Sequence, residues 1–314
     1  MSSDHPESLA CVVLGAGQGR RLLPFTVATP KPMLTILDRP IVDYLLDRVL
    51  ALGDVPIFVN LYHAADVFAR HLDDVNYSRL LWRLETELTG PAGALRLFAD
   101  ELAQFQTIVV LSGDVIFADS LDRLVESHRA SGAEMTFAVT EVTSAHRFGV
   151  LEIDETGRVL RAREKPVVPA HERHWVSAGV YCLESTLLGA IPKNQVFDFA
   201  ADLAPALIAN KRHVNAYRLR GYWSDLGWPN SLREANIAAL VGQLGPIVPG
   251  DIHVGENVHI GAETEIIGPA VLGRDSVIGD GSWIQNSVIL PGTSISPGTV
   301  LVDGIAGPRS TDRK

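Results

Sequence analysis

Apolar positions along the chain fall into two alternating rhythms. Residues 9–14, 55–60 and 107–111 are short, nearly unbroken apolar runs, the pattern of buried strands, and 80–84 reads as a further strand. Between them the apolar spacing is helical: Ile41, Leu45, Val49 and Leu52 mark a helix face that Gly53 ends, and residues 64–72 and 92–102 repeat the pattern. Strands that alternate with helices predict a mixed, mostly parallel sheet with helices on both faces. Beyond Asp114 the rhythm loosens. A helix over 121–130 is followed by strand-like stretches at 135–142, 149–153, 159–163 and 175–183 that need no helices between them. These predict a subdomain over one edge of the first half, supplying a second substrate site. A helix over 199–209, a strand over 215–219 and a helix over 232–241 complete this part.

From Gly245 the period changes to six. Val254, Ile260, Ile266, Leu272, Ile278 and Ile284 recur every six residues, and Gly255, Gly261, Gly273 and Gly279 directly follow four of them. That is the pattern of a parallel β-helix built from hexapeptide turns. The predicted fold class is therefore α/β: a Rossmann-like mixed, mostly parallel sheet flanked by helices, followed by a short left-handed parallel β-helix. Residues 1–244 form the first domain, 245–306 the β-helix, and 307–314 a tail expected to be disordered. A stack this short leaves open ends, which predicts contact with the main domain or with another subunit.

Composition narrows the partners. The 314 residues are 46% hydrophobic and 20% charged, ordinary for a globular protein, with a net charge of −10. An acidic chain disfavours a nucleic-acid backbone or an anionic membrane as partner. The first eight residues lack the basic start and apolar core of a secretion signal, and no apolar run reaches the length of a membrane span. The chain therefore reads as cytoplasmic, with Cys11 and Cys182, both in apolar runs, expected as buried reduced thiols.

Against that acidic background the basic residues near the start stand out. The first apolar run, ending at Leu14, leads straight into Gly15, Gly17 and Gly19, so these glycines sit on a loop at the end of a strand, where open α/β sheets bind ligands. Arg20, Arg21 and Lys31 follow closely and supply the charge that a polyphosphate needs. The spacing is neither that of a dinucleotide-binding turn, which requires a third glycine where Arg20 stands, nor that of a P-loop, which requires Gly-Lys before Ser or Thr. Pro24, Pro30 and Pro32 forbid a long helix, so an extended basic loop remains.

Two carboxylates stand out further on. Asp114 follows the run 107–111 through Ser112-Gly113, a place that suits either a Mg²⁺ ligand or a turn or N-cap aspartate. Asp225 lies in Trp223-Ser224-Asp225-Leu226-Gly227, too poor in charge to be simple surface. Two such carboxylates would give Mg²⁺ its usual pair of protein ligands, with phosphate oxygens and water completing the octahedron. Glu164-Lys165-Pro166 ends a strand, and Lys165 reads either as a solvated lysine or as a ligand-facing one. Arg163 reads as surface, and His171 and His174, which flank a loop, read as solvated. The histidines show no zinc-binding spacing, and no Gly-x-Ser-x-Gly elbow supports a hydrolase.

The loop from Leu14 to Thr26, Pro30-Lys31-Pro32-Met33, Thr89-Gly90-Pro91-Ala92-Gly93-Ala94-Leu95, Ser112-Gly113-Asp114, Phe148-Gly149-Val150, Glu164-Lys165-Pro166, Ser177-Ala178-Gly179-Val180-Tyr181 and Gly221-Tyr222-Trp223-Ser224-Asp225-Leu226-Gly227 occur in this order. Together with the hexapeptide repeats, they resemble the sugar-1-phosphate nucleotidyltransferases from about Leu9 to Asn236. The resemblance implies attack of a sugar 1-phosphate on the α-phosphorus of a nucleoside triphosphate, with release of pyrophosphate. It implies that Arg21 holds the triphosphate, Lys31 lies beside the α-phosphate, Asp114 and Asp225 hold Mg²⁺, and Lys165 grips the sugar phosphate. Gly149, Glu164 and Ser177 would line the sugar pocket, while Leu14, Gly15, Gly17, Gly19 and Gly90 would lie around the nucleotide.

Several positions depart from the family pattern. Gly15-Ala16 stands for the commoner Ala-Gly, Arg20 for Thr or Ser, Pro91 for Thr, and Ser177 for Asn. The last points to a sugar, or a sugar-like cyclitol, other than the commonest substrates. Lys31-Pro32, with the short β-helix, resembles the mannose-1-phosphate guanylyltransferase group, which implies GTP first and UTP second. The β-helix could pack on its own domain or join subunits, and a dimer or higher homo-oligomer is the expectation. A catalytically silent nucleotide-sugar-binding scaffold would have lost the charged set, and an acyltransferase would need more coils and a better histidine site than His253 and His259 offer.

Overall fold

In a computed structural model of the chain, residues 8–75, 77–169, 172–244 and 251–308 are described. The boundary expected at 245, His171 and most of the expected tail lie outside them. The chain begins with β1 (Leu9–Leu14), the glycine-rich loop, the hairpin β2 (Thr35–Ile36) and β3 (Arg39–Pro40), and α1 (Ile41–Leu50). Next come β4 (Ile57–Leu61), α2 (Ala65–Asp74), β5 (Leu80–Leu84), α3 (Gly90–Gly93), α4 (Ala99–Leu102), β6 (Thr107–Ser112), β7 (Val115–Phe117) and α5 (Leu121–Ser131). The helix predicted over 92–102 is thus broken, with a 3₁₀ segment at Ala94–Phe98. Strands β8 (Met135–Val142), β9 (Gly149–Ile153), β10 (Val159–Glu164) and β11 (His174–Glu184) precede α6 (Ala204–Ala209), β12 (Val214–Arg218), β13 (Trp223–Asp225) and α7 (Pro229–Leu240). His174, expected to flank a loop, is the first residue of β11.

The chain divides into two compact units, each assembled from separated segments. One consists of Met1–Ala16, Leu45–Gly113 and Asp119–Arg220. Its nine-stranded sheet runs in the order β10-β9-β11-β6-β1-β4-β5, with β8 pairing β11 and β12 pairing β8. The pairs among β6, β1, β4 and β5 are parallel, whereas β11 runs antiparallel to β6, β8 and β9. Strands β8 to β12 therefore extend the same sheet instead of forming the expected subdomain over one edge. The reason lies in β11: Tyr181, Cys182 and Leu183 are buried and pair with both β6 and β8, so the strand has a neighbour on each side. Phe58, Phe98, Phe137, Phe199 and Leu183 lie in the core beside it. Cys11 and Cys182 are buried free thiols in this sheet.

The second unit consists of Gly17–Tyr44, Asp114–Ala118 and Gly221–Lys314. Its C-terminal part is a left-handed β-helix with three parallel ladders: β14 (Ile252–Val254), β17 (Ala270–Leu272), β20 (Val288–Ile289) and β23 (Ile305–Ala306) on one face; β15 (His259–Ile260), β18 (Val277–Ile278) and β21 (Ser294–Ile295) on the next; β16 (Glu265–Ile267), β19 (Trp283–Gln285) and β22 (Val300–Val302) on the third. Of the six-residue aliphatic series, Leu272, Ile278 and Ile284 are buried, while Val254 and Ile260 remain 51% and 46% exposed on the first coil. The face carrying Val271, Val288 and Leu290 packs with Leu22 and Leu34 of the glycine-rich loop, Ile116, Leu226, and Leu232 and Ala235 of α7. Each large aliphatic side chain fully buried there contributes about 1.5–3 kcal/mol. That cluster matters for the site because Leu22, Ile116 and Leu226 are immediate or near neighbours in sequence of Arg21, Asp114 and Asp225.

Candidate active site

Lys31 opens a 3₁₀ turn, Lys31–Met33, after the extended Pro30. Proline at the second position suits the start of such a turn because its fixed φ is already helical. The Lys31 side chain is only 5% exposed, which a lysine tolerates only when paired. Its Nζ lies 2.6 Å from Asp114 Oδ2 and 3.7 Å from Asp225 Oδ1. The two aspartates, far apart in sequence, are brought to one point by an antiparallel ribbon of β7 and β13. Asp225 stands opposite Val115, and the Leu226 N–H donates to the Asp114 carbonyl at 2.9 Å. Burial alone would raise the Asp114 carboxyl, but the Lys31 ammonium and, less strongly, the Arg21 guanidinium outweigh it and hold the group below the ordinary carboxylate range.

Arg21 is carried on another 3₁₀ turn, Arg20–Leu22, entered through Gly19 at φ 62°. A Cβ on Gly19 would also lie 2.8 Å from Thr26 Cγ2, whose residue closes the loop by donating from Oγ1 to the Gly19 carbonyl at 2.8 Å. The guanidinium lies over the Trp228 ring, 5.2 Å from its centroid. Gly227 provides the space beside it: a Cβ there would lie 2.9 Å from Asp225 Oδ1 and 3.0 Å from Arg21 Nη2. Arg21, Lys31, Asp114 and Asp225 are thus brought together within the second unit. Gly17 is exposed with nothing near it, and its geometry adds nothing to that cluster. Trp228 and Gly227 were not read as site residues from sequence. The signal for Gly227 was its place in the Asp225 motif, whereas nothing local marks the tryptophan.

Two carboxylates converge on one cation here, and the Lys31 ammonium is that cation. This donor set fits Mg²⁺, which takes one or two protein carboxylates and leaves its other positions to phosphate and water. Among the described residues no group of three or more His, Cys, Asp or Glu side chains could hold a metal unaided.

In the first unit Leu14 ends β1, and Gly15 follows in a turn that only glycine fits. A Cβ would lie 2.6 Å from Phe68 Cε1 and 2.7 Å from the Asn60 carbonyl. The Gly15 N–H donates to Asn60 Oδ1 at 2.9 Å, and Asn60 Nδ2 donates to Glu85 Oε1 at 2.8 Å. Burial raises the Glu85 carboxyl, opposed by the bonds from Asn60 and from the Thr89 backbone. Gly90 stands beside Thr89 at φ 79°, where a Cβ would lie 2.7 Å from the Phe197 carbonyl. A chain of hydrogen bonds therefore ties the Gly15 turn to the Thr89-Gly90 turn. Sequence reading missed Asn60 and Glu85. Both are polar residues at the carboxyl ends of β4 and β5, a position that marks ligand-facing residues in open sheets.

A second group in this unit gathers Gly149, Glu164 and Ser177. Glu164 pairs in register with Gly149, where a Cβ would lie 2.8 Å from Ala200 Cβ, 3.1 Å from Glu164 Oε2 and 3.7 Å from Ser177 Cβ. Ser177 Oγ donates to the Tyr181 hydroxyl at 3.1 Å across a bulge that contains Gly179. Lys165 takes a left-handed φ of 45° and pairs with Glu164 Oε1 at 2.6 Å. Such a φ is uncommon for a residue with a Cβ and is most often found at constrained sites. Arg163 lies on the surface, as expected, 3.0 Å from Glu152.

Comparison with known proteins gives a consistent answer. The model of the nucleotidyl transferase family matches residues 10–241. The chain is 31% identical over 250 residues to a mannose-1-phosphate guanylyltransferase of Mycobacterium tuberculosis, covering 79% of this chain and 68% of that protein. It is 30% identical over 233 residues to a UTP–glucose-1-phosphate uridylyltransferase of Synechocystis, covering 70% of this chain and 60% of that protein. A solved Bacillus anthracis structure, of a chain provisionally named a glucose-1-phosphate thymidylyltransferase and bound to sucrose, shares the fold with a TM-score of 0.65 at 24% identity, over 77% of this chain and 98% of that one. The chain spans 60–68% of the length of its first curated relatives. No helix among the described residues is long and apolar enough to cross a membrane. This chain belongs to the nucleotidyl transferase family.

Proposed function

We propose that the protein transfers a nucleotidyl group from a nucleoside triphosphate to a sugar or sugar-like 1-phosphate, releasing pyrophosphate. The observation that carries this reading is Lys31 in contact with both Asp114 and Asp225, beside Arg21. A phosphate oxygen of the sugar 1-phosphate attacks the α-phosphorus; the new O–P bond forms as the α–β bridge breaks, and the leaving pyrophosphate keeps the bond pair. Arg21 binds the triphosphate and stabilises charge on the leaving group. Lys31, freed from the carboxylates, neutralises the α-phosphate. Such chemistry needs positioning and charge and no covalent protein nucleophile. Mg²⁺, held by Asp114 and Asp225, supplies further charge neutralisation on the phosphates when bound.

Gly149, Glu164, Lys165 and Ser177 form the sugar-phosphate site in this reading, and Leu14, Gly15, Gly17, Gly19 and Gly90 surround the nucleotide. GTP is the favoured triphosphate, supported by Lys31-Pro32 and by the name of the mycobacterial relative; UTP is second. The acceptor is a sugar or a cyclitol 1-phosphate, the enzyme cytoplasmic, and its assembly a dimer or larger. The test is pyrophosphate release from GTP, UTP, dTTP, CTP and ATP, each with Mg²⁺ and a panel of mannose, glucose and cyclitol 1-phosphates. GTP is expected to be fastest, and Arg21→Ala and Asp114→Asn to lose at least about a hundredfold. Faster turnover with UTP or dTTP refutes the base. Trace turnover unchanged in both variants refutes the enzyme.

A further inference from the structure

The loop that carries Arg21 and Lys31 ends in the β2–β3 hairpin, and the β-helix holds the tip of that hairpin. Leu37 and Asp38 form the tip with left-handed φ angles of 47° and 65°. Asp38 is gripped through all three of its oxygens. Oδ1 accepts from the Arg274 backbone N–H at 2.8 Å, the carbonyl accepts from the Arg274 guanidinium, and Oδ2 faces His253 Nε2 at 3.1 Å. Gly255 makes room for this grip, since any Cβ there would collide with Asp38 Oδ2. On the other side the Leu37 N–H donates to Asn236 Oδ1 at 3.0 Å, and Asn236 Nδ2 donates to the Thr35 carbonyl at 3.2 Å. Nearer the start of the loop, Phe25 lies against Gly307 of the β-helix, where a Cβ would be 2.5 Å from the ring.

The loop's own backbone hydrogen bonds are local, such as Leu22 to Gly19, Phe25 to Leu22 and Met33 to Pro30, so they shape its short turns, while where the loop lies is set by what holds it from outside. We propose that Asp38, clamped by His253 and Arg274, is a positioning residue that sets the geometry of Arg21 and Lys31 and makes the β-helix a working part of the phosphate site. The inference rests on the reading of Arg21 and Lys31 as the pair that holds the triphosphate. Displacement of such groups by even about 1 Å lowers rate and affinity sharply.

The test uses the 314-residue chain with four variants. Asp38→Gly removes the carboxylate but keeps the left-handed backbone accessible. Asp38→Asn keeps an acceptor for Arg274 and tolerates the same φ. Asn257→Gly removes the side-chain bond to Asp275 from the same β-helix without touching the clamp. Arg21→Ala reports on the phosphate site itself. Calorimetry with Mg²⁺ and tripolyphosphate, the KM and kcat for GTP, and the thermal midpoint are measured for each.

Asp38→Gly is expected to weaken tripolyphosphate binding and raise the GTP KM about tenfold, the size of a lost charge-assisted bond. Asp38→Asn should stay within about threefold of the parent and Asn257→Gly should match it. If Asp38→Gly binds tripolyphosphate like the parent while Arg21→Ala does not, the clamp is refuted and the phosphate site stands. Equal weakening in Asp38→Gly and Asn257→Gly also refutes it, because the effect is then general loosening of the β-helix. If Arg21→Ala binds like the parent, the phosphate reading fails and the inference falls with it.

Discussion

Replacing Lys31 with Met tests whether the centre of the site is an electrostatic balance or only a packed side chain. The ammonium lies 2.6 Å and 3.7 Å from the Asp114 and Asp225 carboxylates. At an effective dielectric of about 20 these distances correspond to gross attractions of about 6 and about 4 kcal/mol. Desolvation of the lysine consumes much of that, and Asp114, with its side chain 38% exposed, is partly screened by water. The net loss expected at neutral pH is about 2–3 kcal/mol, most of it repulsion between the two carboxylates left behind. The pH dependence separates this from packing. In the parent the Asp114 carboxyl is held below its ordinary value, so its contribution is present above about pH 4 and is lost as pH falls through the lowered folded value. In Lys31→Met the same carboxyl is raised instead, so protonation relieves the repulsion. Urea unfolding followed by circular dichroism should therefore show the largest gap between parent and variant at neutral pH and a smaller one near about pH 3. If Asp114 and Asp225 hold Mg²⁺ as proposed, added Mg²⁺ should restore part of the lost stability in Lys31→Met by replacing the ammonium between the carboxylates. A gap of equal size at both pH values, or no response to Mg²⁺, would refute the electrostatic account.

Gly227→Ala places a Cβ 2.9 Å from Asp225 Oδ1 and 3.0 Å from Arg21 Nη2, both mobile ends of side chains. The melting temperature should change little while the triphosphate KM rises about tenfold; a large melting shift with an unchanged KM would contradict this. A second pH effect has its own window. His128 is 1% exposed, and burial followed by the Arg129 charge lowers it to about 4. Neutral His128 donates from Nε2 to Glu184 Oε1 at 3.2 Å and accepts from Thr136 Oγ1 at Nδ1, 2.8 Å away. Because the folded value lies below the unfolded one, stability is complete above about pH 6.5 and falls toward pH 4, by at most about 3 kcal/mol. His128→Gln should flatten the unfolding free energy across that window, and an unaltered slope would dismiss the assignment.

Much of the fold was legible because hydrophobic period reports directly on burial. Met135–Val142 and Gly149–Ile153 fall where the apolar rhythm puts them, and the hexapeptide period becomes the three-faced stack, whereas Leu80–Leu84 forms the expected strand at the sheet edge with none of its residues buried. The rhythm fails where a long-range contact overrides local preference. The helix expected over 92–102 breaks because Gly90 and Gly93 lie against the chain at Gln195 and Phe197, whose Phe197 carbonyl accepts from the Ala92 and Gly93 N–H groups. Strands β8 to β12 join the main sheet because β11 finds partners on both sides, a fact of pairing that no window of sequence contains.

The site divides in the same way. The residue types of Arg21, Lys31, Asp114 and Asp225 suggest the proposed phosphate chemistry from the sequence, but their convergence depends on β7 and β13, each only three residues long. Strands so short carry almost no periodic signal. Their pairing is instead held by the aliphatic cluster that buries Ile116 and Leu226 against α7 and the β-helix. Side chains alternate faces along a strand, so a slip of one residue between Val115 and Asp225 would turn Asp225 away from Lys31. The register of one small ribbon thus decides whether two aspartates form a cation site, and the apolar neighbours of the charged residues, more than the charges themselves, specify that register.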